Sequence, residues 1–208
     1  MIQPQRKIQF YKHDKKGYIL RMLTFDDVSF WGAEALMSVI FALYVVQNIT
    51  GGSATHVGLS LTVRQIVIAF CSIPIGRFLD KHKGYVDEVY FLSIAGFLAG
   101  ISYFFFAFSN SIWQLYILMA IIGLTHSLSM NAWRSLFYET VDKSERGETQ
   151  GVYQSVMSVA GALLVGLGGI MADKFGYQTI IFIVSGMTII GGFLPLMIKK
   201  MVPTAKKK

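Results

Sequence analysis

The sequence predicts an all-α integral membrane protein with six transmembrane helices, and three observations carry that prediction. Hydrophobic residues make up 53% of the 208, charged residues only 15%, and mean hydropathy is +0.51, too apolar for an ordinary soluble domain. Six apolar stretches reach the roughly 20 residues needed to cross about 30 Å of hydrocarbon. Basic residues gather on one side of the resulting bundle.

Taken in order, residues 1–24 form a basic lead with Arg6, Lys7, Lys12, Lys15, Lys16 and Arg21, too long and too basic for a cleavable signal peptide. It reads as a cytoplasmic tail in which residues 11–23 suit either an interfacial helix on anionic headgroups or a solvated segment. Span one, 25–46, carries Phe30, Glu34, Met37, Phe41, Tyr44 and then Asn48 at steps of three or four, a stripe along one helix face. Span two, 56–78, holds Arg64 and the lone Cys71, so neither a disulfide nor a cysteine metal site is available. Spans three, 89–108, and six, 177–198, contain no acidic or basic residue and are expected at the lipid-facing periphery. Span four, 112–137, holds His126, Ser129, Asn131 and Trp133, and span five, 151–172, holds Tyr153, Gln154 and Ser158. The connections are too short for a second folded unit, so residues 25–198 form one membrane bundle, closed by a basic tail at 199–208. The basic segments at both ends read as natural termini.

With six spans, Arg77, Lys81, Lys83, Arg134, Lys143, Arg146, Lys199, Lys200, Lys206, Lys207 and Lys208 share a side with the basic lead, and Lys174 alone faces the other. Basic residues in short loops resist translocation. Both termini are therefore expected in the cytoplasm, in a multi-pass protein of the plasma (inner) membrane. Topology explains the net charge of +7, and no nucleic-acid partner is implied.

An internal echo supports the count. Gly76-Arg-Phe-Leu-Asp80-Lys81-His-Lys-Gly84-Tyr85 recurs, shortened, as Gly169-Ile-Met-Ala-Asp173-Lys174-Phe-Gly176-Tyr177. Three spans separate the copies, which places them on opposite faces, as in two inverted three-helix repeats.

These residues resemble the major facilitator superfamily, whose loop between spans two and three carries Gly-x-Leu-Ala-Asp-Arg-x-Gly. Gly76, Phe78, Leu79, Asp80 and Lys81 occupy its places, while Lys83 stands where the pattern has glycine and Gly84 follows one position late. The Glu145-Arg146-Gly147 start of span five, its Gly168-Gly169 end and Phe175-Gly176-Tyr177 extend the likeness. Leu164 and Val165 replace the Gly-Pro pair of many antiporters, so drug antiport is not favoured by motif.

The resemblance implies one six-helix half of a twelve-helix fold whose halves are related by an axis along the membrane normal. Two identical copies obey that symmetry with all termini on one side, so a homodimer is expected to rebuild the whole. It also implies that spans one, two, four and five line the cavity. Glu34 and Arg64 as ions in lipid would cost about 5 to 7 kcal/mol together, at about 2.5 to 3.5 each, which favours a wet face closed by a twin. Gly96 with Gly100, and Ser158, Ala162 and Gly166, would allow close helix contacts within or between copies.

At 1.5 Å per residue, Glu34 lies about 13 Å beyond Phe25, His126 about 18 Å from Tyr138 and Arg64 about 24 Å from Asp80. Glu34 and His126 are thus expected to share a level, with Arg64 too far out to pair with Glu34. Glu34 and His126 are candidates for proton coupling, since a carboxyl and an imidazole can each take and release a proton as water access alternates. Arg64 would grip an anionic or polar group, and Tyr44, Asn131, Trp133 and Gln154 would line the cavity. In the family the aspartate matching Asp80 contacts the start of a helix in the other half, where the helix dipole favours a carboxylate. Gly76, Asp80 and Lys81, with Arg134 as an added partner, are therefore assigned to a conformational latch.

The expected function is secondary active transport of a small solute by alternating access, with proton coupling and no cofactor or metal. A non-transporting subunit paired with another six-span chain, or a channel, is the alternative. An enzyme is not expected, because neither His-Glu-x-x-His nor Gly-x-Ser-x-Gly occurs.

Overall fold

A computed structural model describes residues 9–81 and 84–202. The turn around Lys83, and with it the delayed glycine pattern, lies partly outside the described residues, as do Arg6, Lys7, Lys206, Lys207 and Lys208. Six helices run α1 Lys15–Asn48, α2 Ala54–Lys81, α3 Val86–Phe106, α4 Ile112–Thr140, α5 Arg146–Phe175 and α6 Tyr177–Ile198. All six are long and apolar enough to cross a membrane. Successive helices alternate in direction, so the starts of α1, α3 and α5 and the ends of α2, α4 and α6 share one end of the bundle, called here the terminal end.

Local chemistry sets several boundaries. Asp14 accepts a hydrogen bond from Gly17 N at 2.7 Å and so caps α1. Ser111 and Gln114 form a reciprocal capping box that starts α4. Gly176, with φ +78°, turns α5 into α6, a conformation that only glycine adopts without strain.

The packing pattern carries the repeat. α3 lies on α6, α2 on α4, α1 on α5, α3 on α4 and α1 on α6. Exchanging helices one to three with four to six maps this set onto itself. The glycines at 76 and 169 thereby fall at opposite ends, as inverted repeats require. The α3–α6 contact is close because glycines line it. A Cβ at Gly96 would lie 2.7 Å from Gly192 Cα, and Ser185 Oγ donates to Gly100 O at 2.8 Å.

Three features differ from the sequence reading. α1 begins at Lys15, so ten residues assigned to the basic tail are helical and continuous with span one. Ile19, Leu20 and Leu23 bury against Val89, Phe137 and Ile198, and Lys12 pairs with Glu145 at 3.1 Å, tying this segment to the α4–α5 connection. Second, α3 and α6 bury their glycine faces against each other and expose Ile94, Ile101, Ile190 and Phe193 on the other side, so each is peripheral on one face only. The most exposed are α2 and α5, each buried over only 6% of its apolar window, against 44% to 56% for the others. Third, of the two small-residue stripes only Gly96 with Gly100 is used within the chain. A Cβ at Gly166 would meet nothing within 4 Å, and Ser158 and Ala162 are exposed beside it.

Candidate functional site

Along α1, Asp27, Trp31, Glu34, Ser38 and Phe41 follow at steps of three or four and share one face. Three helices converge on Glu34. Arg64 of α2 forms an ion pair with Glu34 Oε1, Tyr103 of α3 donates its hydroxyl proton to Oε2, and His126 Nε2 of α4 stands 3.6 Å from that same oxygen. The α2–α4 approach that delivers Arg64 depends on Gly123, where a Cβ would lie 2.6 Å from Arg64 O. The Glu34 and Arg64 side chains are each 21% exposed and His126 only 5%.

The Arg64–Glu34 pair overturns the depth argument. Counting from Phe25 placed the edge of α1 too late. Measured from the helix ends, Glu34 lies 19 residues, about 28 Å, from Lys15, and Arg64 lies 17 residues, about 26 Å, from Lys81. They share a level. The pairing also offsets much of the cost of two separate intramembrane ions within one chain.

This cluster opens on a cavity of about 260 Å³ whose other walls are apolar apart from Ser38, and include Met37, Phe41, Leu61 and Met119. A second cavity of about 480 Å³ lies nearer the terminal end, lined by Asp27, Trp31, Trp133, Arg134 and Tyr153. Between Asp27 and Glu34, the His126 ring packs on Trp31 at 5.0 Å and Phe30 at 5.4 Å.

Of the residues singled out in sequence, the structure brings together Glu34, Arg64 and His126, and separately Trp133 and Arg134. Trp133 stacks between Phe137 at 4.5 Å and Tyr153 at 4.6 Å. Tyr44 is 2% exposed and donates its hydroxyl to the Phe106 and Ala107 carbonyls at 3.1 Å, so it fastens α1 to the end of α3 and lines neither cavity. Asn131 Nδ2 donates to Ser127 O at 2.8 Å beside Gly76, and Gln154 is exposed on α5. Asp80, Lys81 and Arg134 are exposed, and no ion pair joins Asp80 to Arg134. Among the described residues, no three His, Cys, Asp or Glu side chains are grouped to hold a metal ion.

Sequence reasoning missed Tyr103 and Asp27. Tyr103 carries no charge signal in an apolar span. Asp27, however, lies inside the span assigned to 25–46, and an acidic residue there is a functional candidate by default. It is 1% exposed and accepts from the Tyr153 hydroxyl at 2.6 Å.

The sequence profile of the Major Facilitator Superfamily matches residues 28–208. The chain belongs to that superfamily. It is similar to the Uncharacterized MFS-type transporter YitZ of Bacillus subtilis strain 168, at 28% identity over 159 residues, 76% of this chain and 94% of YitZ. It is also similar to Multidrug resistance protein MdtG of Escherichia coli strain 55989, at 31% identity over 182 residues. That match takes in 85% of this chain but 43% of MdtG, so the chain spans less than half the length of that relative. A multi-pass membrane protein of a transporter family is thus established, and the six helices form one half of that family's fold.

Proposed function

We propose that this chain is a secondary active transporter of a small solute that works by alternating access as a homodimer of six-helix bundles. The observation that carries the reading is the exposure of α2 and α5. Each borders one of the two cavities, through Arg64 and Tyr153 respectively, yet only 6% of the residues in its apolar window are fully buried within the chain. A second bundle placed by a two-fold axis along the membrane normal covers both helices and leaves all four termini on one side. The exposed α5 stripe of Ser158, Ala162 and Gly166 suits close helix contact across that axis.

The basic residues at the terminal end support a cytoplasmic location for the termini and insertion in the plasma (inner) membrane. Exposed Asp80 and Lys81, at the end of α2, would reach the positive start of α5 in the twin and latch one access state, with Gly76 one turn back on α2 and Arg134 exposed on α4.

Coupling is assigned to the Glu34–His126 pair. With His126 neutral, Glu34 and Arg64 cancel; a proton on His126 adds one positive charge held by Glu34 Oε2 3.6 Å away. Separation of Glu34 from His126 as the bundles rock would release it. The test is accumulation in liposomes containing only this protein, under an imposed proton gradient. Solute accumulation that Glu34→Gln abolishes while exchange persists supports the reading. Passive equilibration alone indicates a channel, and no movement at all indicates a non-transporting subunit. Mass measurement in native lipid should find two copies, and a stable monomer would overturn the dimer.

A further inference from the structure

The Glu34 cluster leaves part of Arg64 unused. Glu34 Oε1 takes Nη1, and among the described residues Nε is buried without a hydrogen-bond partner. The side edge of the guanidinium fork, Nε with Nη2, thus bonds no oxygen of the described residues. Orphaned buried donors are rare in folded proteins and ask for an explanation, an absent ligand being one. Glu34 itself is fully engaged, since Arg64 holds Oε1, Tyr103 donates to Oε2 and His126 Nε2 stands 3.6 Å from that second oxygen. Its carboxylate is therefore not available as the counter-charge of a cationic ligand. The adjoining cavity of about 260 Å³ is walled by Met37, Phe41, Leu61 and Met119, and the Ser38 hydroxyl in its wall donates to Ala35 O at 2.7 Å.

We propose that this cavity binds a small organic monoanion, a carboxylate on an apolar body, at the open edge of Arg64, together with one proton on His126. A planar carboxylate meets the guanidinium edge with two parallel hydrogen bonds, a pairing that the point charge of lysine does not give. Charge decides the second half. Glu34 and Arg64 sum to zero, so an anion alone would leave one net negative charge among apolar walls, a costly state. A proton on His126, taken from solvent and held by Glu34 Oε2, returns the sum of ligand and cluster to zero. The groups that face His126 are Glu34 of α1 and, through that carboxylate, Arg64 of α2 and Tyr103 of α3. Asp27 of α1, held by Tyr153 of α5, lies beyond Trp31. The volume of about 260 Å³ is just under the usual range for drug-sized ligands, which suits a single ring or a short chain with its carboxylate. That this anion is the transported solute rests on the proposed function, whereas its binding does not.

Direct binding tests this without requiring transport or dimerisation, so its failure is distinct from failure of the proposed function. Benzoate is titrated by calorimetry into the purified protein in lipid nanodiscs, with empty nanodiscs as the blank for partitioning. It should bind more tightly, by about tenfold or more, than benzamide or benzylammonium, which share its ring without the negative charge. Histidine exchanges its proton near neutrality, so benzoate affinity should fall about fivefold or more from pH 6 to pH 8, and paired titrations in buffers of different ionisation enthalpy should show proton uptake on binding. Arg64→Lys should weaken binding about tenfold, because the fork is lost while the charge stays. His126→Gln should remove both the pH dependence and the proton uptake. The double variant Glu34→Gln with Arg64→Met, which leaves neither charge unpaired, should abolish binding. Equal binding of benzoate and benzamide by the unmodified protein overturns the proposal, whatever the folding of the variants, and so does an affinity that is the same at both pH values. Undiminished benzoate binding by a folded double variant overturns it as well.

Discussion

The Glu34–Arg64 pair makes a quantitative prediction through a double-mutant cycle. Glu34→Gln keeps the shape of the side chain and a carbonyl acceptor for Arg64, but leaves the guanidinium without its counter-charge in a cavity walled by Met37, Phe41, Leu61 and Met119. Breaking a fully buried pair by removing one partner costs about 3 to 5 kcal/mol. Both side chains here retain 21% exposure, so the expected loss is at the lower end, about 3 kcal/mol. Arg64→Met leaves the Glu34 carboxylate with Tyr103 and His126, and protonation of His126 can still balance it, so this loss should be smaller, about 2 kcal/mol. The double variant removes both charges and should recover to within about 1 kcal/mol of the original, because an apolar replacement of a buried pair is often close to neutral. The resulting coupling energy is about 4 kcal/mol, far above the few tenths expected of independent sites. Reversible unfolding in mixed detergent micelles, followed by tryptophan emission, supplies all four stabilities. Simple additivity of the two single losses would refute the claim that these side chains depend on one another.

Three further outcomes follow from the packing. Gly123→Ala sets a methyl 2.6 Å from Arg64 O, a backbone atom that cannot turn aside, so it should lower unfolding stability by about 1 to 3 kcal/mol and weaken solute accumulation by displacing Arg64. Tyr44→Phe should cost at most about 1 kcal/mol, because the Phe106 and Ala107 carbonyls keep Ser109 and Gln178 as donors, with solute affinity unchanged in a binding titration, since the ring lines neither cavity. Lys12→Ala should cost at most about 1 kcal/mol at low salt and less at high salt in paired unfolding curves, since its bond to Glu145 is partly solvated.

Much of this fold was legible because the bilayer imposes strict lengths. All six spans follow from counting apolar residues, and the repeat from Gly76 and Gly169. Helix ends were less legible, since hydropathy reports where lipid begins and not where the helix does. The residues from Lys15 to Thr24 are polar enough to look like a tail, yet Ile19, Leu20 and Leu23 find partners in α3, α4 and α6 that only the tertiary structure reveals. That error in the start of α1 then misplaced Glu34 and separated it from Arg64. The four helices expected to line one cavity are divided between two: α1, α2 and α4, with Tyr103 of α3, line the smaller, and α1, α4 and α5 line the larger. Tyr44 shows the limit of a helical stripe as a guide: it lies on the face of Glu34, but two turns and more beyond it the face has passed from cavity to core.

Pairing of Glu34 with Arg64 inside one bundle changes what a second bundle is needed for. Unpaired charge is no longer the driving force, since the ions already answer one another. What a second bundle supplies is cover for exposed helices. α2 is fastened along α4 and α5 along α1, each by a single face, which leaves two long apolar helices exposed beside two polar cavities. Lipid satisfies apolar helix faces but not the open sides of cavities that hold Glu34, Arg64 and Asp27, where water must enter or a protein surface must close. A twin that covers α2 and α5 meets both requirements at once, and it places the two levels on α1, Asp27 and Glu34, about 10 Å apart along one continuous face. In the proposed dimer, His126, packed on Trp31 and Phe30 between those levels, is the residue that the proposed rocking would have to displace.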